Sequence, residues 1–327
     1  MRVLIVHYNA SQGGGAESAI QDQTKALEGL GHEVKIEHLQ PERAYVRWKP
    51  DIIHFHTIHV GMSLEILQWA QGKGIPHVLS LHDYWPFCSG RMLLAHEDQP
   101  CAAVAGKCDG ACDGAPSDWK VTELVNDSPT VTFNPYSAHI MEKHGVNVTK
   151  VIPHGIDTDY FSPGDTEPEV MVMTSSAWPE YPTKGMHVLK EALVKIKRTA
   201  MIVAHQPREV VRDELRKHAV FVFPSCYEET FGLCLTEAMA CGCACVASDV
   251  CGPRYQIEDG DTGLLVPPRS STALAGAIEG LFVNHKLRRE LGQNARAWAE
   301  SCATLERMGK DYEELYEGVI RGNDRGS

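Results

Sequence analysis

The sequence has 327 residues, 43% of them hydrophobic and 23% charged, which supplies core for two domains of ordinary size and rules out a disordered or fibrous chain. With 28 Gly, 18 Pro and no visible internal repeat, collagen-like, low-complexity and solenoid architectures are excluded as well. Acidic residues (43) outnumber basic ones (31) for a formal charge of −12, which disfavours a surface built to coat nucleic acid.

In chain order, short apolar runs alternate with segments of helical period, the pattern of parallel sheets with crossover helices. Arg2 to His7 reads as a buried strand, Gly13-Gly14-Gly15 as a turn, Ala16 to Leu30 as a helix closed by Gly31, and Glu33 to Leu39 as a second strand. Asp51 to His56 (strand), Met62 to Gly72 (helix) and His77 to Leu81 (strand) repeat the unit, as do Thr130 to Phe133 and the helical stretch His139 to His144. Cys88 to Asp118 has no period and reads as a long inserted loop. Val151 to Asp157 runs into a Pro- and acid-containing linker, so the sequence predicts a first domain over 1–160 and a second over 161–327. The second domain restarts the alternation with strands at Val170 to Thr174, Ala200 to Ala204, Val220 to Phe223 and Ala244 to Ala247. Helices are expected at Lys184 to Lys197, Arg208 to His218 and Leu233 to Ala240, then at Thr272 to Phe282, Lys286 to Glu300 and Leu305 to Ile320. The last of these is expected to cross back to the first domain. The fold class is thus α/β, two Rossmann-like lobes.

Charge is unevenly spread: Lys184 to Lys217 holds nine basic residues against four acidic ones. Such an island suits phosphate groups or merely a solvated helix pair, and it keeps nucleic acid as a disfavoured but open partner. No apolar run reaches the roughly 18 residues of a membrane span, and the apolar start, Val3 to Val6, is short for a signal peptide. A cytoplasmic protein is expected, free or peripherally attached at the inner membrane face. The 11 cysteines then read as thiols or metal ligands. Cys88, Cys101, Cys108 and Cys112, with twelve, six and three residues between them, are candidates for a structural zinc, though their spacing is looser than paired C-x2-C. Cys241, Cys243 and Cys245 read as buried small hydrophobes. His54, His56 and His59 alternate along a strand, and no metal is predicted there.

The most specific chemistry lies in Phe223-Pro-Ser-Cys-Tyr-Glu-Glu-Thr-Phe-Gly-Leu-Cys-Leu-Thr-Glu-Ala-Met-Ala-Cys-Gly242. Glu229 falls on a loop ahead of a helix opened by Phe231-Gly232, and Glu237 about two turns inside it. Helix N-termini at the carboxyl ends of parallel strands hold phosphates, and two carboxylates there can hold hydroxyl-rich parts of one ligand.

Around this stretch stand Gly13-Gly-Gly-Ala-Glu17, Gly31-His-Glu-Val34, Pro50-Asp-Ile-Ile-His-Phe-His56, Val151-Ile-Pro-His-Gly-Ile-Asp157, Lys184-Gly185, Ser248 to Arg254 and Glu258 to Pro267. In this order they resemble the family-4 glycosyltransferases over almost the whole chain. The resemblance implies a GT-B fold, two facing Rossmann-like lobes with a central cleft, and transfer from a UDP- or GDP-sugar to an acceptor hydroxyl, usually of a glycan. It implies retention of anomeric configuration and no obligatory cofactor or metal, the nucleotide sugar being a co-substrate. Residue by residue, Glu229, Lys184 and His82 resemble the catalytic group: sugar contact, diphosphate cation and a histidine near the reacting sugar. Gly13, Gly14, Gly15, Phe231, Gly232, Glu237 and Arg254 resemble donor-binding positions, with Glu237 on the ribose, while His56 and Glu17 fall on the acceptor side.

The chain departs from the pattern in three places. The stretch Ser175 to Lys184 holds no arginine, so Arg254 or Arg208 are the candidates for a second phosphate cation. Gly252-Pro-Arg-Tyr255 carries a phenol where an acid is usual. The 44 positions from Gly185 to Glu229 leave room for one βα unit fewer than usual, a shortened second lobe. Three rival functions stay open: an NAD-dependent oxidoreductase, favoured by Gly13-x-Gly15 and Glu37 but with Ser18 at the third glycine position, a different reaction on the same architecture such as that of a sugar-nucleotide epimerase or phosphorylase, and a non-catalytic nucleotide-sugar binding protein of the same fold.

Overall fold

The computed structural model describes residues 1–8, 14–38, 40–57, 64–88, 119–165, 168–176 and 182–324. In chain order the elements are β1 (Arg2–His7), α1 (Gly15–Gly29), β2 (Glu33–Glu37), α2 (Pro41–Trp48), β3 (Ile52–His56), α3 (Glu65–Gly72), β4 (His77–Ser80), α4 (Trp119–Asn126), β5 (Thr130–Thr132), α5 (Pro135–Lys143) and β6 (Lys150–Val151). After these come β7 (Glu169–Ser176), a single 3-10 turn (Pro182–Lys184), α6 (Met186–Lys195), β8 (Ala200–Ala204), α7 (Arg208–Leu215), β9 (His218–Phe223), α8 (Leu233–Ala240), β10 (Ala244–Ser248), α9 (Cys251–Gln256) and β11 (Leu264–Val266). Three longer helices close the chain: α10 (Ser271–Val283), α11 (His285–Cys302) and α12 (Leu305–Asp324). No described helix is long and apolar enough to cross a membrane.

The chain divides into two compact units, Met1–Gly155 with Leu305–Ser327, and Ile156–Thr304. The first is built on a parallel sheet of order β2-β1-β3-β4-β5-β6, the second on one of order β11-β10-β9-β7-β8. Strands covered on both faces must be apolar throughout. Val3 to Val6 of β1 and Val220 to Val222 of β9 are accordingly fully buried, whereas β2, at a sheet edge, alternates.

Three helices escape the sequence reading, each for a local reason. Helix α2 has Pro41 at its first turn and buries only Pro41 and Ala44, so little apolar burial marks it. Helix α9 carries Gly252 and Pro253, residues read as breakers, but Pro253 sits in the first turn, where a missing N–H costs nothing. Helix α4 follows the aperiodic stretch and has eight residues. The helix expected from Lys184 starts at Met186, because Gly185, at φ +69°, turns the chain out of the 3-10 turn first.

In the first unit α12 packs against α1 and buries Tyr312 and Tyr316 completely. A polar knot holds the packing. The ring of His54, on β3, has Nδ1 2.6 Å from the Tyr316 hydroxyl and 2.8 Å from Gln23 Nε2 of α1, and Nε2 2.8 Å from Ser80 Oγ of β4. Two strands and two helices are thereby tied through one imidazole. Burial holds the pKa of His54 down at about 3. His154 is held at about 3 as well, by burial first and then by the Arg307 charge.

In the second unit α11 lies so close to the turn after α8 that a Cβ on Gly292 would stand 2.3 Å from the Gly242 carbonyl oxygen. Gly292→Ala should therefore cost about 1–3 kcal/mol, as overpacking against backbone does. Gly318→Ala in α12, where a Cβ meets nothing within 4 Å, should instead gain up to about 1 kcal/mol from helix propensity; urea unfolding of the two variants measures both.

Histidines kept neutral by burial make stability depend on pH in a definite direction. Between pH 6.5 and 3 the unfolded chain binds a proton that folded His54 refuses, so stability is complete above pH 6.5 and falls below it. At pH 5.5 the loss is about 1.4 kcal/mol for this one group. A His54→Gln variant, compared with the parent at pH 7.5 and 5.5, should lose less stability by that amount. Equal losses would show that His54 is protonated in the folded protein.

Candidate functional site

Each sheet has a point where the strand order reverses, and open parallel sheets bind ligands beyond the carboxyl ends of the strands that flank it. In the second unit that point lies between β7 and β9. Lys184 follows β7 and the loop Pro224 to Gly232 follows β9, so residues about 40 positions apart meet. Gly185 makes the meeting possible: a Cβ there would lie 1.8 Å from the Pro224 carbonyl oxygen.

At this place Lys184 Nζ donates to Glu229 Oε1 at 2.8 Å and to the Tyr227 hydroxyl at 3.3 Å. The Tyr227 hydroxyl donates to Glu229 Oε2 at 2.5 Å, and Ser225 Oγ to Oε1 at 3.0 Å. Glu229 is 6% exposed, and its carboxylate is thus compensated by one cation and two hydroxyls. Burial acts to lower the pKa of Lys184, but the Glu229 carboxylate and the hydrogen bonds of Glu229 and Tyr227 outweigh it and hold the ammonium above its ordinary value. Burial and the Glu229 charge push the Tyr227 phenol up. Both side chains therefore keep their protons throughout the neutral range.

Glu237, buried in α8, accepts from Arg208 Nε at 2.8 Å. It stands five residues past Gly232, which caps α8, a little over one helical turn rather than the two expected. The Arg208 guanidinium lies 5.0 Å from the Phe161 ring centre. Arg254, the other candidate phosphate cation, is bound to Asp249 by Nε at 2.7 Å. Phe231 is buried, and its carbonyl accepts from Gln256 Nε2 at 2.8 Å.

In the first unit the reversal lies between β1 and β3, whose last residues are His7 and His56. His82 comes two residues after β4, and its Nε2 lies 2.9 Å from His56 Nδ1. The His82 ring lies 4.7 Å from that of Phe133, which stacks on His154 at 3.9 Å. His56 is 1% exposed, and burial together with the neighbouring histidines keeps its pKa well below the usual value. Glu17, in the first turn of α1, accepts from the Gly14 amide at 3.1 Å and stands 4.0 Å from His7 Nε2; burial raises its pKa. Gly15 opens α1.

Gly13, Cys101, Cys108 and Cys112 lie outside the described residues; Cys88, the fourth candidate zinc ligand, is buried. Among the described residues no group of His, Cys, Asp or Glu has the arrangement of a metal site. The sequence reading assigned no role to Tyr227 or Ser225. Their signal was position: two and four residues before Glu229 in an irregular loop, within reach of the same carboxylate.

Residues 192–298 match the family model for Glycosyl transferases group 1. Over 132 residues the chain is 41% identical to a D-inositol 3-phosphate glycosyltransferase of Paenarthrobacter aurescens, a stretch covering 37% of this chain and 31% of that protein. The matches span less than a third of the length of the first curated relatives. In fold the chain is similar to sucrose-phosphate synthase from Thermosynechococcus elongatus, with a TM-score of 0.78 and 17% identity over 98% of this chain and 99% of that one. It is also similar to the Anabaena HepE protein in complex with UDP and glucose, with a TM-score of 0.71 and 17% identity over 96% and 99% of the two chains. Among the described residues the sheet of the second unit has five strands. With two parallel-sheet units of reversed strand order and near-complete mutual coverage with these structures, the chain has the GT-B fold, and within its second unit residues 192–298 resemble the group 1 glycosyltransferases.

Proposed function

We propose that the protein transfers a sugar from a nucleoside-diphosphate sugar to an acceptor hydroxyl, that of a glycan in first place, with retention of configuration and without an obligatory metal. One observation carries this reading: a lysine held cationic beside a buried glutamate, both beyond the carboxyl ends of β7 and β9. Departure of a nucleoside diphosphate builds negative charge, and a preorganised cation lowers the barrier by meeting it.

In this reading the second unit takes the donor. Lys184 meets the diphosphate, Glu229 accepts from sugar hydroxyls, and Glu237, with Arg208 neutralising it, accepts from the ribose. The Phe231-Gly232 turn and Gly13 to Gly15 let backbone approach the phosphates. Arg254, bonded to Asp249, is a second cation only if the donor draws it from that pair. By the resemblance, the first unit takes the acceptor, with His56 and Glu17 on the acceptor side and His82 serving the reacting sugar. The acceptor oxygen bonds the anomeric carbon on the face from which the nucleoside diphosphate leaves. The bond between that carbon and the phosphate oxygen breaks with its electron pair going to the diphosphate, and a leaving phosphate oxygen takes the hydroxyl proton.

That the Anabaena protein of similar fold binds UDP and glucose supports trying UDP first. In thermal unfolding with UDP, GDP, ADP, TDP and NAD, one of UDP or GDP should stabilise the chain by about 2.7 kcal/mol at a hundred times its dissociation constant. Lys184→Ala, compared with its own ligand-free midpoint, should lose most of that increment; stabilisation by NAD alone would favour the oxidoreductase. With the matching nucleotide sugar and EDTA present, Glu229→Gln should cut transfer at least about a hundredfold, as loss of one transition-state contact does. The anomeric coupling constant of the parent's product, read by NMR, should show the donor's configuration. Undiminished transfer by both variants would remove Lys184 and Glu229 from the site.

A further inference from the structure

Lys184 spends two of its three N–H donors on Glu229 and Tyr227, and to give its full charge to a diphosphate it has to leave Glu229. That departure is expensive, because Glu229 is 6% exposed and a buried carboxylate stripped of its cation keeps the full cost of desolvation. Tyr227 touches both ends of this exchange. Its hydroxyl donates to Glu229 Oε2 at 2.5 Å, and Lys184 Nζ lies 3.3 Å from the same hydroxyl and 4.8 Å from the ring centre.

The three side chains form a closed ring of hydrogen bonds, lysine to phenol, phenol to carboxylate, lysine to carboxylate. Opening the Lys184 to Glu229 edge leaves the carboxylate with the Tyr227 and Ser225 hydroxyls, one on each oxygen. Hydrogen bonds to a charged acceptor are about twice as strong as neutral ones, so these two hold the charge in place after the ammonium has gone. The aromatic face beside Nζ offers the departing cation a favourable surface.

We infer that Tyr227 is a positioning residue that releases Lys184 from Glu229 to the donor diphosphate, with Ser225 as its helper. The inference rests on the donor-site reading above. Tyr227 touches no reacting atom; it acts through Lys184. Its effect therefore exists only while Lys184 is present, which separates it from a residue that merely supports the loop.

The test is a double-mutant cycle on the full chain, with calorimetric titration of the diphosphate that stabilises the parent. Tyr227→Phe, which keeps the ring and deletes the hydroxyl, should weaken the diphosphate about tenfold in the parent. In the Lys184→Ala background the same change should alter it less than about twofold. In transfer assays Tyr227→Phe should raise donor KM by the same factor and leave kcat at saturation within about twofold. Ser225→Ala gives the second variant, and it should show the same dependence on Lys184 more weakly. Equal factors in both backgrounds, or a fall in kcat at unchanged KM, would overturn the inference while leaving the donor site standing. Failure of the parent to bind any diphosphate would overturn the donor site itself.

Discussion

A carboxylate that is almost out of water has to be compensated, and the second unit is arranged around doing so for Glu229. The compensation is drawn from two loops far apart in sequence, the 3-10 turn that ends at Lys184 and the loop after β9. They come together because β7 and β9 are neighbours in the sheet while their successors leave in opposite directions. Gly185 then permits contact that any side chain would block. Topology, turn chemistry and electrostatics thus converge on one side chain, and the removal of any one of them leaves a buried charge without its partners.

The first unit solves a similar problem without charge. Its reversal point is lined by imidazoles that burial keeps neutral, His54, His56 and His154 among them. A neutral imidazole offers one donor and one acceptor, which suits a strand end that has to satisfy polar neighbours without importing a counter-ion. His54 spends both nitrogens on the fold, joining β3 and β4 to α1 and α12. His56 spends Nδ1 on His82. The histidines that share one face of β3 therefore divide the work: one ties two strands to two helices and the other pairs with His82 beyond the end of β4.

Most of the strands were legible because a strand covered on both faces has to be apolar along its whole length, as β1 and β9 are. The long helices were legible from their period. Three short helices were not: α2 buries only Pro41 and Ala44, α9 carries Gly and Pro where a reader expects a break, and α4 follows the aperiodic stretch. The Glu229 and Glu237 stretch stood out by its density of carboxylates ahead of a helix. What the sequence could not show was pairing. Nothing in linear order says that Arg208 ends 2.8 Å from Glu237, or that a tyrosine two residues from a glutamate also touches a lysine 43 positions away. Hydrogen bonds across loops depend on strand order, and strand order is not a local property.

The absence of an arginine from the stretch just before Lys184 acquires a physical meaning in this setting. Arg208 and Arg254, the two candidates to replace it, are each bound to an acid, Glu237 and Asp249. An arginine held by its own carboxylate has part of its charge and of its five N–H donors already committed. Lys184 is in the same position with Glu229, but with a difference: the carboxylate it would leave keeps two hydroxyl donors, one on each oxygen. A lysine also suits the exchange better than an arginine would. Its ammonium is a compact charge on a flexible stem, whereas a guanidinium engages a carboxylate through a rigid fork that favours staying bound. In the reading proposed above, Lys184 is therefore the cation best suited to pass to the donor, provided that the hydroxyls remain to hold the glutamate when the lysine departs.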